Sequence, residues 1–97
     1  MASASVYSGS KSGIGGTAAQ LTTTSIKLYN GLTVFASGSN GGVVAVAANS
    51  GITYNTDPAN DGSPLVAGAS IFLPINDPSK VYVVASTNGN VVYWVGG

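Results

Sequence analysis

The sequence contains no histidine, cysteine, arginine or glutamate. Without histidine, the chain lacks the side chain that best transfers protons near neutral pH, and neither a Ser-His-Asp triad nor a Cys-His pair can form. Without cysteine, it can form neither a disulfide nor a cysteine-based zinc site. We therefore expect a fold that depends on packing and backbone hydrogen bonds, and a protein that is not an enzyme.

Charged residues are also scarce. They are Lys11, Lys27, Lys80, Asp57, Asp61 and Asp77. Soluble domains contain about 25% charged residues, whereas this chain contains 6%. Nucleic-acid binding requires clustered lysine or arginine side chains that neutralise phosphates, so we expect no nucleic-acid partner. Low charge together with 44% hydrophobic residues is typical of a protein that packs against neighbouring subunits.

The sequence shows no targeting or membrane-spanning segment. Its first residues lack a basic stretch followed by an apolar one, so no secretory signal is predicted. No apolar run approaches the ~18 residues that a membrane span requires. We therefore expect synthesis in the cytoplasm and no membrane partner.

Two of the three aspartates lie in one loop rich in proline and glycine. Asp57 and Asp61 form a carboxylate pair in principle, but such loops more often use aspartate to cap turns. Residues 57–62 also resemble part of a calcium loop, yet Ala59 occupies its third position and Gly68 the position of its bidentate acid. The sequence therefore predicts no catalytic residue, no metal site and no cofactor.

Short β-prone segments recur from residue 21 onward, and no segment has a helical period. The predicted strands are 22–28, 32–37, 43–47, 70–75, 80–85 and 90–95. Asn30-Gly31 and Asn88-Gly89 predict hairpin turns, because both residue types tolerate positive φ. The pattern predicts an all-β fold over residues 21–97, either a small antiparallel β-sandwich or a partly open barrel.

Residues 1–20 differ in composition from the rest of the chain, because fourteen of them are glycine, serine, alanine or threonine. This composition predicts a flexible, extended N-terminal arm. The arm is either a disordered tail or a segment that becomes ordered on a neighbouring subunit. In the second case its anchors are Val6, Tyr7 and Ile14.

The last two predicted strands have two apolar faces. A two-residue turn at Asn88-Gly89 places Val84 opposite Tyr93 and Val83 opposite Trp94. We assign one face to the core: Val81, Val83, Ala85, Val92 and Trp94. The other face carries Tyr82, Val84, Val91, Tyr93 and Val95. A second apolar face indicates a subunit or partner interface, unless a loop such as 52–66 covers it.

The predicted interface combines this second face with the arm. Its residues are Val6, Tyr7, Ile14, Tyr82, Val84, Tyr93 and Val95.

Three motifs resemble those of small structural proteins of tailed bacteriophage virions. They are P-L-x-A-G-x-S at 64–70, D-x-S-K-[IV]-Y-V at 77–83 and V-x-[YW]-[ILV]-G at 92–96. The resemblance covers about residues 26–97, includes 30–34 and leaves the arm unmatched. It implies a decoration or cement protein on the capsid surface of the virion, made in the host cytoplasm. It further implies binding to the major capsid protein and a homo-oligomer, with a trimer favoured; no functional residues transfer.

Two other functions remain open. A glycan- or receptor-binding module of a head fibre could stack sugar rings on exposed aromatic side chains. The candidates are Tyr29, Tyr54, Tyr82, Tyr93 and Trp94. Our assignment of Trp94 to the core argues against this alternative. A self-assembling adhesin or filament subunit would instead make open head-to-tail contacts.

Overall fold

The computed structural model describes residues 6–52 and 63–97. The strands in these residues are β1 Tyr7–Ile14, β2 Ala19–Gln20, β3 Leu32–Ala36, β4 Val44–Ala47, β5 Ser63–Leu65, β6 Ser70–Leu73, β7 Tyr82–Ala85 and β8 Asn90–Gly96. A 3-10 helix, Pro78–Lys80, precedes β7. None of the helical structure in the described residues is long and apolar enough to cross a membrane.

The strands form two four-stranded sheets that pack face to face. Sheet A has the order β1-β8-β3-β6, and sheet B has the order β2-β7-β4-β5. All neighbouring strands are antiparallel. This arrangement confirms the predicted all-β antiparallel sandwich. Among the described strands, every consecutive pair except β4 and β5 is split between the two sheets.

The core lies between the sheets and follows the alternation of each strand. All five residues that the sequence assigned to the core are buried: Val81, Val83, Ala85, Val92 and Trp94. Leu32 and Val34 of β3 line this core on the side of sheet A, and Val44 and Val46 of β4 line it on the side of sheet B. Side chains at every second position point to the same face of a strand, so a local pattern predicts this core correctly.

The predicted hairpin at Asn88-Gly89 is wrong. β7 pairs with β2 and β4, and β8 pairs with β1 and β3, so Val84 does not face Tyr93 and Val83 does not face Trp94. The turn instead carries the chain from sheet B to sheet A, which lets both strands bury an apolar side in the same core.

Asn90 holds this crossing in place, because its fully buried amide bonds to three segments of the chain. Its Nδ2 donates to the Thr87 carbonyl at 2.6 Å and to the Ile14 carbonyl at 3.3 Å. Its Oδ1 accepts from the Gly42 amide at 3.1 Å.

The predicted hairpin at Asn30-Gly31 is also wrong, although Gly31 does have a positive φ of 87°. Residues 22–28 form no strand, and β3 pairs with β6 and β8 instead. The Tyr29 and Asn30 amides both donate to the Gly97 carbonyl, at 2.8 and 2.7 Å. Leu28 is buried in the core, so this segment closes one end of the sandwich without pairing to β3.

The described part of the predicted arm belongs to the sandwich, which differs from the expected boundary at residue 21. β1 is an edge strand of sheet A that pairs with β8, and β2 is an edge strand of sheet B that pairs with β7. Ile14 is buried in the core. The packing of β1 on β8 favours glycine at position 9, because a Cβ atom there would lie 2.8 Å from Nε1 of Trp94.

Candidate binding face

The outer face of sheet A carries a contiguous group of large apolar side chains. Phe35 of β3 lies opposite Tyr93 of β8, and Thr33 lies opposite both Val95 of β8 and Phe72 of β6. Phe35, Phe72 and Tyr93 are 39%, 57% and 49% exposed. We call these five residues the aromatic face.

The same alternation that builds the core directs these rings outward. Leu32 and Val34 point into the core, so Phe35, one position further along β3, points out. Ile71 and Leu73 pack against the core, so Phe72 points out between them. Single exposed apolar residues are common on protein surfaces, whereas contiguous apolar patches often mark interaction sites.

The aromatic face carries no charged residue, and its flanking positions are serines. Ser8 and Ser10 of β1 lie opposite Val95 and Tyr93, and Ser70 of β6 lies opposite Phe35. A partner bound at this face would therefore be recognised by shape, dispersion and apolar burial, with little dependence on salt concentration.

The charged residues of the described chain lie elsewhere. Lys11 lies opposite Val92, whose side chain points into the core, and Lys27 precedes β3 with its Nζ 5.4 Å from the centroid of the Tyr29 ring. Asp77 and Lys80 lie at the 3-10 helix before β7.

Asp77 is the one acidic side chain among the described residues, and its hydrogen bonds are structural. Oδ2 accepts from Ser25 Oγ at 2.6 Å, while Oδ1 accepts from Ser79 Oγ at 2.7 Å and from the Ser79 amide at 2.9 Å. The bond from Ser25, followed by those from Ser79, lowers the pKa of Asp77 to about 2. Asp77 thereby caps the 3-10 helix and ties it to the segment before β3.

No group of three or more histidine, cysteine, aspartate or glutamate side chains is placed to hold a metal ion within residues 6–52 and 63–97. Asp57, Asp61 and Tyr54, which the sequence analysis considered for chemistry or binding, lie outside the described residues.

The outer face of sheet B is covered by the chain itself. Val84 and Ala45 are 0% and 1% exposed, because Ile52, which follows β4 and is 2% exposed, packs over them together with Ala18. The alternative in which a loop covers the second apolar surface is therefore correct for Val84. The two outer faces thus differ, since the chain covers one and leaves aromatic rings exposed on the other.

The predicted interface residues do not share one surface. Val84 and Ile14 are buried, and half-buried Tyr82 lies on the outer side of sheet B. Tyr93 and Val95 lie on the outer side of sheet A, which is the opposite side of the sandwich.

The other predicted anchors, Val6 and Tyr7, are 73% and 39% exposed at the start of β1. Phe35 and Phe72 were not among the residues predicted for the interface. Alternation within β3 and β6 was the available signal, because Val34 and Ile71, each one position earlier, lie on the opposite side of the strand and face the core.

Aromatic residues also occur outside this face. Trp94 is 5% exposed, which confirms its predicted place in the core, whereas Tyr29 is 78% exposed in the segment before β3. Half-buried Tyr82 forms one wall of an open polar groove beside sheet B. The other lining residues are Gln20, Ala48, Asn49, Ser50, Ser79 and Lys80. Gln20 Nε2 donates to the Ser79 carbonyl at 2.6 Å.

No protein-family model matches the chain, and no curated protein or solved structure matches it either. A functional proposal therefore depends on the geometry of the surface and on the motifs of the sequence.

Proposed function

We propose that this protein is a structural virion component without enzymatic activity, which binds the outside of a bacteriophage capsid as a decoration or cement protein. The aromatic face is the observation that carries the binding part of this proposal. The motifs at 64–70, 77–83 and 92–96 support the capsid as the target, with the major capsid protein as the partner. The scarcity of charge agrees with a protein that functions between protein neighbours rather than on nucleic acid or membrane.

The size of the aromatic face indicates how such binding works. An aromatic side chain buries roughly 150–250 Å², and the exposures of Phe35, Phe72 and Tyr93 are 39%, 57% and 49%. Each ring therefore offers roughly 60–140 Å², or about 1.5–3.5 kcal/mol at ~25 cal/mol per Å². Burial of the three rings would together contribute about 5–10 kcal/mol to binding. The loss of translational and rotational freedom on association costs about 4–15 kcal/mol and largely cancels this gain.

One copy on this face alone would thus bind weakly. A homo-oligomer, for which we propose a trimer, would attach through several faces at once and gain avidity. Many weak contacts shared across joints between capsid subunits would then resist internal pressure, and no single bond would need to be strong.

The test uses virions of the phage that encodes this chain, prepared with the wild-type protein, without it, and with a Phe35→Ser/Tyr93→Ser variant. Both replaced side chains are exposed, so we expect the variant to fold, as circular dichroism and thermal melting would show. Virions without the protein and virions with the variant should lose infectivity sooner on heating and osmotic shock.

The matched control is Tyr29→Ser, which removes a more exposed ring outside the aromatic face and should protect virions as the wild type does. Equal survival of complete and protein-free virions would refute the cement function. Full protection by the Phe35→Ser/Tyr93→Ser variant would instead remove the aromatic face from the mechanism.

Glycan binding is the second candidate, and a specific observation favours it. The polar groove beside sheet B combines the Tyr82 ring with the amides of Gln20 and Asn49, and this combination suits a sugar ring and its hydroxyls. The buried position of Trp94 counts against it, because the largest stacking surface is inside the core. Saturable binding on a glycan array that Tyr82→Ala abolishes and Tyr93→Ser leaves intact would favour this candidate over capsid attachment.

A further inference from the structure

β1 and β8 are unlike in character, although they pair along most of their length. β8 reads N-V-V-Y-W-V-G, whereas β1 reads Y-S-G-S-K-S-G-I and carries its larger apolar side chains at its two ends. Without β1, the edge of β8 would present unpaired backbone groups beside apolar side chains, which is a template for another strand. β1 therefore covers this edge mainly through its backbone.

The fit of β1 is specific at one point. Gly9 lies opposite Trp94, and a Cβ atom at Gly9 would come within 2.8–2.9 Å of the indole ring. A covering strand must therefore place glycine at this position of the register. A second copy of this chain meets that requirement, because it carries the same glycine at the same position of the strand.

β1 pairs with β8 along its length, but its buried side-chain anchor lies at one end only. The Ile14 side chain is buried, its carbonyl accepts from Asn90 Nδ2 at 3.3 Å, and the Gly15 carbonyl accepts from the Ala85 amide at 2.8 Å. Residues 7–12 are exposed or half-buried and separated from this anchor by Gly13, which has a φ of 66°. The register of β1 on β8 shifts between Lys11 and Ile14, at the same place.

We propose that residues 7–12 exchange between copies of this protein, with Gly13 as the hinge, so that this segment of one copy pairs with β8 of a second copy. The exchanged strand makes the same hydrogen bonds that it makes within its own chain, including the contact between Gly9 and Trp94, so exchange loses no native pairing. Lys11 meets no like charge there, because β8 carries no charged residue. This proposal does not depend on the identity of the surface that the aromatic face binds.

The absence of cysteine from the chain permits a direct test with engineered thiols. Lys11 lies opposite Val92 in the register, and Val92 is fully buried, so a thiol at position 92 is reached only by a strand paired with β8. Lys11→Cys, activated as a mixed disulfide with thionitrobenzoate, is refolded together with Val92→Cys in the full-length chain. Attack by the thiolate at position 92 joins the two chains and releases thionitrobenzoate, which is measured by absorbance.

The control replaces activated Lys11→Cys with activated Ser8→Cys, because Ser8 lies opposite Val95 and not Val92. A second matched pair, Ser10→Cys with Tyr93→Cys, changes two exposed residues that also lie opposite each other and so protects the test against misfolding of the buried variant. We expect at least tenfold more covalent heterodimer from both matched pairs than from the mismatched pair.

Yields equal to the mismatched control for both pairs would overturn strand exchange. Crosslinking of the Ser10 and Tyr93 pair alone, with Val92→Cys correctly folded, would also overturn it, because two copies would then meet through the aromatic face without exchanging β1. A Gly9→Val change in the Lys11→Cys chain should reduce the matched yield to the control level, since the added side chain collides with Trp94 of the second copy.

Discussion

Replacing Asn90 with alanine should lower the free energy of unfolding by about 2–4 kcal/mol. The side chain is 0% exposed, and it bonds to the Thr87 and Ile14 carbonyls, the Thr87 hydroxyl and the Gly42 amide. Thr87 is exposed, so water can replace its lost bonds. The bond to the Ile14 carbonyl is buried and the bond from the Gly42 amide is partly buried, and a buried polar group without a partner costs about 1–3 kcal/mol.

Urea unfolding followed by fluorescence measures this loss directly, because Trp94 is the only tryptophan and lies in the core. In a domain of this size, 1 kcal/mol corresponds to a shift of about 4–8 °C in Tm. Asn49→Ala is the matched control, since Asn49 is exposed and, within the described residues, its side chain accepts one bond, from the Gly51 amide at 2.9 Å. If Asn90→Ala and Asn49→Ala unfold at the same urea concentration, the crossing between the sheets does not depend on the Asn90 amide.

Three other substitutions test separate parts of the fold. The lowered pKa of Asp77, about 2 against a usual 3.8, means that its bonds stabilise the protein above pH ~4 and that this contribution disappears as the pH falls toward 2. Asp77→Asn should therefore flatten the dependence of Tm on pH over this range. An unchanged profile would contradict the stabilising role of the Asp77 hydrogen bonds. Gly31→Ala should lower the free energy of unfolding by about 1–2 kcal/mol, because φ is 87° and the new Cβ would meet the Phe72 ring. Its control, Gly38→Ala, has open space around the new Cβ and should lower this free energy less in the same urea assay. Ile52→Ala should lower the free energy of unfolding by about 2–4 kcal/mol, because it removes the side chain that packs over Val84 and Ala45. A loss below about 1 kcal/mol would show that this side chain packs loosely on sheet B.

Local alternation accounts for the part of the fold that the sequence predicted. Val83, Val92 and Trp94 were assigned to the core from their positions within single strands, and all three are buried. The period of two is a property of one strand, and it holds whichever strands become its neighbours. This is why the inner faces were predicted correctly even though the pairing of β7 with β8 was not.

Pairing failed because a turn residue specifies local backbone conformation and not the partner of the next strand. Gly31 and Gly89 adopt positive φ, 87° and 79°, but Asn30 and Asn88 do not, so neither pair forms the type I′ turn of a hairpin. Both turns lead away from a hairpin, since the strand after each one pairs with strands distant in sequence. Burial of two apolar sides in one core favours crossing between sheets over a local hairpin, and no short motif reports that competition.

The aromatic face illustrates the same limit for function. Phe35, Phe72 and Tyr93 lie on β3, β6 and β8, and only the order β8-β3-β6 brings them side by side. Alternation tells which side of its strand each ring occupies, but adjacency depends on topology. The covering of Val84 by Ile52 likewise depends on a contact between sheet B and the segment that follows β4. The chain covers Val84 on one sheet and exposes rings on the other, and this asymmetry agrees with the one-sided binding that we propose. The position of the exposed rings follows from the strand order.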